Sequence, residues 1–261
     1  MVKARVIWDQ FVEGNYKTAE PGIIFWTTMS DYSPSNYVGK PIICTNPCAE
    51  VPLEDGGACN LGSINLSRFV VNGYEANAYL DWDQLAESSA ILVRFLDNVV
   101  TWNEDLNALE KQRDAAKETR RLGLGVMGIA DMVNQLGIAY DSDEGIELIR
   151  KVMEFITNVS FQASASLAVE KGPSPIYEED DYMECPFIQE SLSEETQNMI
   201  RENGIRNIAI MSIAPTGSIS NIVLGYQNEE KNYIGVSGGV EPIFAIYYTR
   251  RSESLDQGHN K

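Results

Sequence analysis

Asn46, Cys48 and Glu50 occupy alternate positions in the stretch TNPCAEVPL, residues 45–53. In an extended chain residues i, i+2 and i+4 line one side, about 7 Å from one to the next, so the spacing predicts an amide, a thiol and a carboxylate facing one small substrate. A base-activated cysteine nucleophile is disfavoured, because the single histidine, His259, lies in the polar tail DQGHNK and an ordered imidazole is required. A thiol can instead be oxidised by one electron and abstract a hydrogen atom, while a nearby carboxylate removes a hydroxyl proton and an amide orients the substrate. That is radical chemistry on a polyol-like carbon. It consumes reducing equivalents, and Cys59, eleven residues on in GGACNLGSINL, is a second thiol that could return near the first. Cys44, Cys48, Cys59 and the distant Cys185 lack paired-knuckle spacing, which argues against a structural zinc.

A second constellation is APTGSIS, residues 214–220. A strand ending at Pro215, with Thr216, Gly217, Ser218, Ile219 and Ser220 at a helix start, offers free N–H groups, a positive dipole end and hydroxyls. Alone it reads equally as a phosphate site or a helix cap; beside the 46–50 motif the ligand reading gains. GLGVMG (123–128) matches G-x-G-x-x-G, but the preceding EKQRDAAKETRRL is charged and helical, so the strand a dinucleotide site needs is missing. Its glycines are read as tight packing of a strand or turn against the helix IADMVNQL. Tyr247 and Tyr248 in FAIYYTRR are read as core and the acidic loop YEEDDYME (177–184) as solvated, and the Cys185 that follows it has no polar companion implying chemistry.

The elements that must position these groups follow from periodicity. VIWDQFVEGNY (6–16) has helical spacing, IIFW (23–26) reads as a short buried strand, and PIICT as a strand leading into the first motif. Residues 83–102 form an amphipathic helix with Leu85, Ile91, Leu92, Phe95, Val99 and Val100 on one face. A longer helix runs from about Ser142 to Glu170, and NIAIMSIAP (207–215) is a buried strand. Strands separated by long helices predict an α/β fold. The chain has 261 residues, a 44% apolar fraction and a net charge of −18, which gives it a core and argues against a nucleic-acid partner. With no leader and no apolar run near the length of a spanning helix, the expectation is a cytoplasmic protein with no membrane segment and with reduced thiols.

Taken together, NPCAEVPL…GACNLGSINL, EPGIIFW, RRLGLGVMGIADM and APTGSIS…SGGVEPIFAIYYTRR resemble the catalytic subunit of ribonucleotide reductase over nearly the whole chain, with closest similarity to the adenosylcobalamin-dependent class. The resemblance implies the C-terminal half of a ten-stranded α/β barrel over residues 1–261, with a central finger loop at about 45–60, a phosphate loop at about 214–221 and a tail at about 252–261. It implies that Cys48 is the transient thiyl radical taking the ribose 3′ hydrogen, Glu50 the base at the 3′ hydroxyl and Asn46 the partner that orders the sugar. Cys59 matches the second redox cysteine, which closes a disulfide as the 2′ hydroxyl leaves as water; Cys44 and Cys185 match neither role. Substrate contacts would come from Asn46, Pro47, Cys48, Ala49 and Glu50 and from Pro215, Thr216, Gly217, Ser218 and Ile219, with Ser220 adjacent. The implied substrate is a ribonucleoside di- or triphosphate and the reductant a thioredoxin-like protein or dithiol. The radical source is adenosylcobalamin or a separate metal-containing subunit, with no metal held by this chain. Family members are longer, and the chain lacks the regions of the first redox cysteine, the effector site and the C-terminal cysteines. It is therefore expected to work in an oligomer with a complementary N-terminal part. A catalytically silent binding fragment is the different-class alternative. GYQNEEKNYIGV, before SGGVEP, is longer than the family connection.

Overall fold

The computed structural model describes residues 2–227, 232–233, 235–245 and 247. Helices α1 (Ala4–Thr18), α2 (Trp26–Asp31) and α3 (Pro34–Tyr37) lead into a hairpin of β1 (Ile42–Thr45) and β2 (Pro52–Glu54). Strand β3 (Asn60–Asn65) follows, then a 3-10 turn (Leu66–Phe69) and the ribbon β4 (Val70–Val71) with β5 (Tyr79–Leu80). Helices α4 (Trp82–Asn103) and α5 (Glu110–Thr119) precede β6 (Leu122–Met127); α6 (Ile129–Gln135) and α7 (Asp143–Lys171) follow it. Helices α8 (Glu179–Met183), α9 (Pro186–Ser191) and α10 (Glu194–Asn203) return the chain to α11 (Gly217–Val223) and the pair β7 (Tyr226–Gln227) and β8 (Asn232–Tyr233).

The centre is parallel. Strand β3 runs beside β6 in register from Asn60↔Leu122 to Asn65↔Met127. The other edge of β6 bonds residues 208–212: the Leu122 and Leu124 amides donate to the Ala209 and Ile210 carbonyls (2.9 and 2.8 Å), and the Ser212 amide to the Leu124 carbonyl (2.8 Å). The expected strand at 207–215 thus takes its place as a third parallel segment. All six residues of β6 are buried, as in sheets covered on both faces. Gly125 is required by close approach: a Cβ there would run into the Ser212 carbonyl oxygen. GLGVMG is therefore itself the strand, and its glycines serve packing, chiefly against neighbouring strands rather than the following helix.

Helix α4 packs on the sheet, and the long α7 packs on α4. The Asp81 carboxylate caps α4 by accepting the Gln84 amide, and Ser142 caps α7, whose first turn carries Asp143 and Glu144. Trp82 packs edge-on to Phe155 between them, with ring centres 4.9 Å apart. The buried face of α4 differs from the expected one: Leu85, Ser89, Val93, Leu96, Asp97 and Val100 face inward, while Ile91 and Phe95 are each 60% exposed. The reason is Asp97, fully buried because Arg120, Arg206, Lys171 and Asn207 surround its carboxylate.

Three other expectations are corrected. IIFW forms no ladder; Ile23, Ile24 and Phe25 are exposed and Trp26 opens α2, because a short apolar run becomes a strand only beside another strand. The acidic loop contains α8, whose carboxylates stay outside while Tyr182 and Met183 are buried. Tyr247 is exposed rather than core; Tyr248, His259 and the tail 252–261 lie outside the described residues. Helix α1 forms as expected but buries no residue, and among the described residues the outer edge of β3 has no strand neighbour. No described helix is long and apolar enough to cross a membrane.

Candidate active site

The first motif is the tip of the β1–β2 hairpin, in which Cys44 opposes Leu53 and Thr45 opposes Pro52. The tip is a turn rather than an extended run: the Ala49 amide donates to the Asn46 carbonyl (3.0 Å), and Ala49 is left-handed at φ 66°. Asn46 closes the loop, its amide donating to the Val51 carbonyl (3.2 Å) while its side-chain oxygen accepts the Val51 amide (3.0 Å). Proline after asparagine initiates such turns. Pro47, Cys48 and Ala49 are consequently exposed, while Asn46 and Glu50 are half-buried.

The hairpin is held at both ends. Near the tip, the Ser212 hydroxyl donates to the Glu50 carbonyl (3.2 Å). At the base, buried Glu54 accepts Arg121 Nη2 at 2.7 Å and the Thr119 hydroxyl at 2.9 Å; Arg121 also reaches the Ser35 hydroxyl. Both charges are almost wholly enclosed, which a fully paired arrangement permits.

Cys48 and Glu50 open into a cavity of about 960 Å³ whose far side is formed by Pro215, Gly217, Ser218 and Asn221, by Ser237 and Gly238 and by residues 240–245. The two predicted motifs, far apart in sequence, therefore meet across one space. Thr216 sits at φ 52° ahead of α11, and its hydroxyl does not cap that helix. Of the five buried side-chain polar atoms without a hydrogen-bond partner among the described residues, Glu50 Oε2 belongs to a residue that lines this cavity and Thr216 Oγ1 to the residue between Pro215 and Gly217, which do. Such orphans are costly, and Glu50 Oε2, whose residue lines the cavity, is a group left for something else to bind. Ile219 is exposed without lining the cavity, and Ser220 is buried with its hydroxyl spent on the Gly217 carbonyl. The exposed amide residue Asn221, absent from the sequence reading, does line it; its place one helical turn after Gly217 was the signal available. Asp131 was also missed. Its carboxylate receives the Val236 amide and the Ser237 hydroxyl, although it reads as an ordinary first-turn acid of α6.

Cys59 is placed elsewhere. It lines a neighbouring cavity of about 400 Å³ with Asn60, Val99, Trp102, Leu106 and Arg121. Burial pushes its thiol up to about 12; the Arg121 charge opposes that, and the Glu50 and Glu54 carboxylates add to it. A thiol raised this far stays protonated at pH 8, which suits a hydrogen donor and not a nucleophile. Alkylation with iodoacetamide at pH 8, followed by peptide mass mapping, is expected to label exposed Cys44 and Cys48 first and Cys59 more slowly; equal labelling of Cys59 would refute the protected thiol.

A parallel α/β core that aims a thiol and a carboxylate from a hairpin tip at a glycine–hydroxyl turn defines an α/β protein with an enzyme-like cleft. The family model described as "Ribonucleotide reductase, barrel domain" matches residues 1–259. The chain belongs to that family, and its fold is part of that α/β barrel. It is 39% identical over 251 residues to a vitamin B12-dependent ribonucleoside-diphosphate reductase of Thermoplasma acidophilum, covering 95% of this chain and 28% of the relative. Similarity to the enzyme of the same description from Mycobacterium tuberculosis is 35%, covering 95% and 30%. A ribonucleoside-diphosphate reductase subunit alpha of Chlamydia pneumoniae is 31% identical, covering 97% and 25%. Among solved structures, the Actinobacillus ureae class Id ribonucleotide reductase alpha subunit superposes with a TM-score of 0.63 at 22% identity, covering 87% of this chain and 40% of that one. The chain thus spans less than a third of the length of these curated relatives.

Proposed function

We propose that this chain is the part of a ribonucleotide reductase catalytic subunit that carries the radical cysteine, the base and the phosphate loop, and that it acts in the cytoplasm with the rest of that subunit. The observation that carries this is the unpartnered, buried Glu50 Oε2 beside exposed Cys48, in a cavity closed by Pro215, Gly217 and Ser218. The relatives' names point to a ribonucleoside diphosphate as substrate. The unpaired edge of β3 and the uncovered α1 fit a complementary part of the barrel.

The roles are those the resemblance implies, and the geometry supports them as follows. The Cys48 sulfur, as a thiyl radical, takes the 3′ hydrogen of the ribose. Glu50 accepts the 3′ hydroxyl proton, since its free oxygen has no competing donor among the described residues. The Asn46 side-chain oxygen is committed to the Val51 amide, so its amine is the part available to the sugar. Phosphates lie against residues 215–218, with the Thr216 hydroxyl and Asn221 beside them. The 2′ hydroxyl leaves as water; Cys59 and a second thiol from the rest of the subunit supply two electrons and two protons and become a disulfide, and Cys48 returns its hydrogen to C3′. The net exchange is one ribonucleotide and two thiols for one deoxyribonucleotide, one disulfide and one water.

The exposed Cys48 sulfur fits a radical source that approaches from outside the hairpin. Adenosylcobalamin, when bound, supplies the one-electron chemistry that removes a hydrogen atom from a thiol; a metal-containing partner subunit is the other source. The test reconstitutes the chain with the remainder of its catalytic subunit, a dithiol and a ribonucleoside diphosphate, with and without adenosylcobalamin, beside Cys48→Ser. Deoxyribonucleotide formed only with the cofactor, and abolished in the variant, is the expected result. Product formed equally by Cys48→Ser would overturn the assignment.

A further inference from the structure

Asp131 is only 4% exposed, yet it does not cap its own helix. Helix α6 starts after Gly128, at φ 70°, with no side-chain cap. Both oxygens of Asp131 are instead used on a segment about a hundred residues later. Oδ1 accepts the Val236 amide at 2.7 Å, Oδ2 accepts the Ser237 hydroxyl, and the Ser237 oxygen in turn accepts the Asp131 amide at 3.2 Å. Backbone bonds extend the grip: the Gly128 amide donates to the Gly239 carbonyl (2.8 Å) and the Ala130 amide to the Val240 carbonyl (3.2 Å). The gripped segment is itself a closed turn, with the Gly238 amide on the Glu241 carbonyl and the Ile243 amide on the Val236 carbonyl, each 2.8 Å.

This turn matters because of what it touches. Ser237 and Gly238 line the cavity that holds Cys48 and Glu50. Gly239, at φ 135°, lies flush on residues 215–216: a Cβ there would strike the Pro215 carbonyl oxygen and sit 2.9 Å from the Thr216 hydroxyl. No gap exists to absorb a movement of the turn, so any shift of residues 237–239 is passed to Pro215 and Thr216.

We propose that Asp131 is a positioning residue for substrate: through Val236 and Ser237 it fixes the wall that presses on the Pro215–Thr216 turn, and so sets how tightly the diphosphate end of the nucleotide is held. The inference rests on the reductase reading above. Asp131 does not reach the reacting carbons, so its loss should weaken binding and leave the chemical step alone.

The test uses the reconstituted catalytic subunit with Asp131→Asn, which keeps the volume and an acceptor for the Val236 amide but puts a neutral N–H where a charged oxygen accepted the Ser237 hydroxyl, reversing and weakening that bond, and with Ser237→Ala, which removes the side-chain bond altogether. Expected for Asp131→Asn is a rise of about tenfold in KM for the ribonucleoside diphosphate and in the inhibition constant of inorganic pyrophosphate, with kcat within about twofold. Ser237→Ala should show a smaller rise, and adding it to Asp131→Asn should change little further, since the two act through one contact. Unchanged KM and pyrophosphate inhibition in Asp131→Asn overturn the inference alone. A fall in kcat and thermal midpoint with KM unchanged also overturns it, leaving a purely structural residue. Wild-type protein that neither binds nor reduces the diphosphate overturns the reductase reading, and the inference with it.

Discussion

Replacing Asp97 with alanine is expected to lower the thermal midpoint of the chain by roughly 6–20 °C. Asp97 is fully buried in α4 and binds Arg120 Nε through Oδ1 and Arg206 Nε through Oδ2, both at 2.9 Å, with Lys171 and Asn207 adding further bonds. Removing the carboxylate takes the shared counter-charge from two enclosed guanidinium groups, leaving Arg120 with the half-buried Glu104 and Arg206 with backbone carbonyls alone, a change that costs about 3–5 kcal/mol. The same site has a pH signature. Burial pushes the carboxyl up, but the Arg206 hydrogen bond and the charge and hydrogen bond of Arg120 outweigh it and hold the group below the usual carboxylate range. A depressed carboxyl contributes stability that is complete above the unfolded value of about 3.9 and is lost as pH falls through the folded one. The gap between wild type and Asp97→Ala should therefore be constant above about pH 4 and narrow below it. Calorimetry across that range checks both claims; a midpoint shift under about 2 °C at pH 7 would refute them.

Glu50→Gln carries the second large effect, on rate rather than stability. Because Glu50 Oε2 has no partner within the described residues, an amide of the same shape removes the proton acceptor without breaking a hydrogen bond of that oxygen. In the reconstituted subunit the chemical step should slow about 10²–10⁴-fold, with substrate affinity and thermal midpoint near wild type. Single-turnover measurement of deoxyribonucleotide formation separates the step from binding. A variant within a few-fold of wild type would remove Glu50 from the base role.

The sequence revealed the helices better than their orientation. The periodic runs of α4 and α7 are long enough to fix type and limits, yet the inward face of α4 was misjudged because apolar counting cannot see that Arg120, Arg206 and Lys171 make it favourable to bury Asp97 rather than Phe95. IIFW failed for a related reason, since a strand is a relation between two segments and the described residues offer it no neighbour. GLGVMG, read as a strand or turn, proved to be the strand itself, which the charged, helical run before it does not reveal. At the site, residue types were legible and their arrangement was not. Asn46, Cys48 and Glu50 were read as one extended face, whereas the turn at Asn46–Ala49 folds them differently. Asp131 could not be found locally at all, since its partners lie at 236–237.

Ala49 gives the finger a last property. A non-glycine residue in the left-handed region costs about 1–2 kcal/mol, and next to it Glu50 keeps an unmatched buried oxygen. Exposed Pro47 and Cys48 recover little of this by burial, so the tip opposes folding while the Glu54–Arg121 base supports it. Thermal endurance and reactivity therefore pull on these residues in opposite directions. Selection of a library of this chain for heat resistance alone would erase the tip first, through glycine at 49 or an apolar side chain at 50, and leave a sturdier frame with nothing to react.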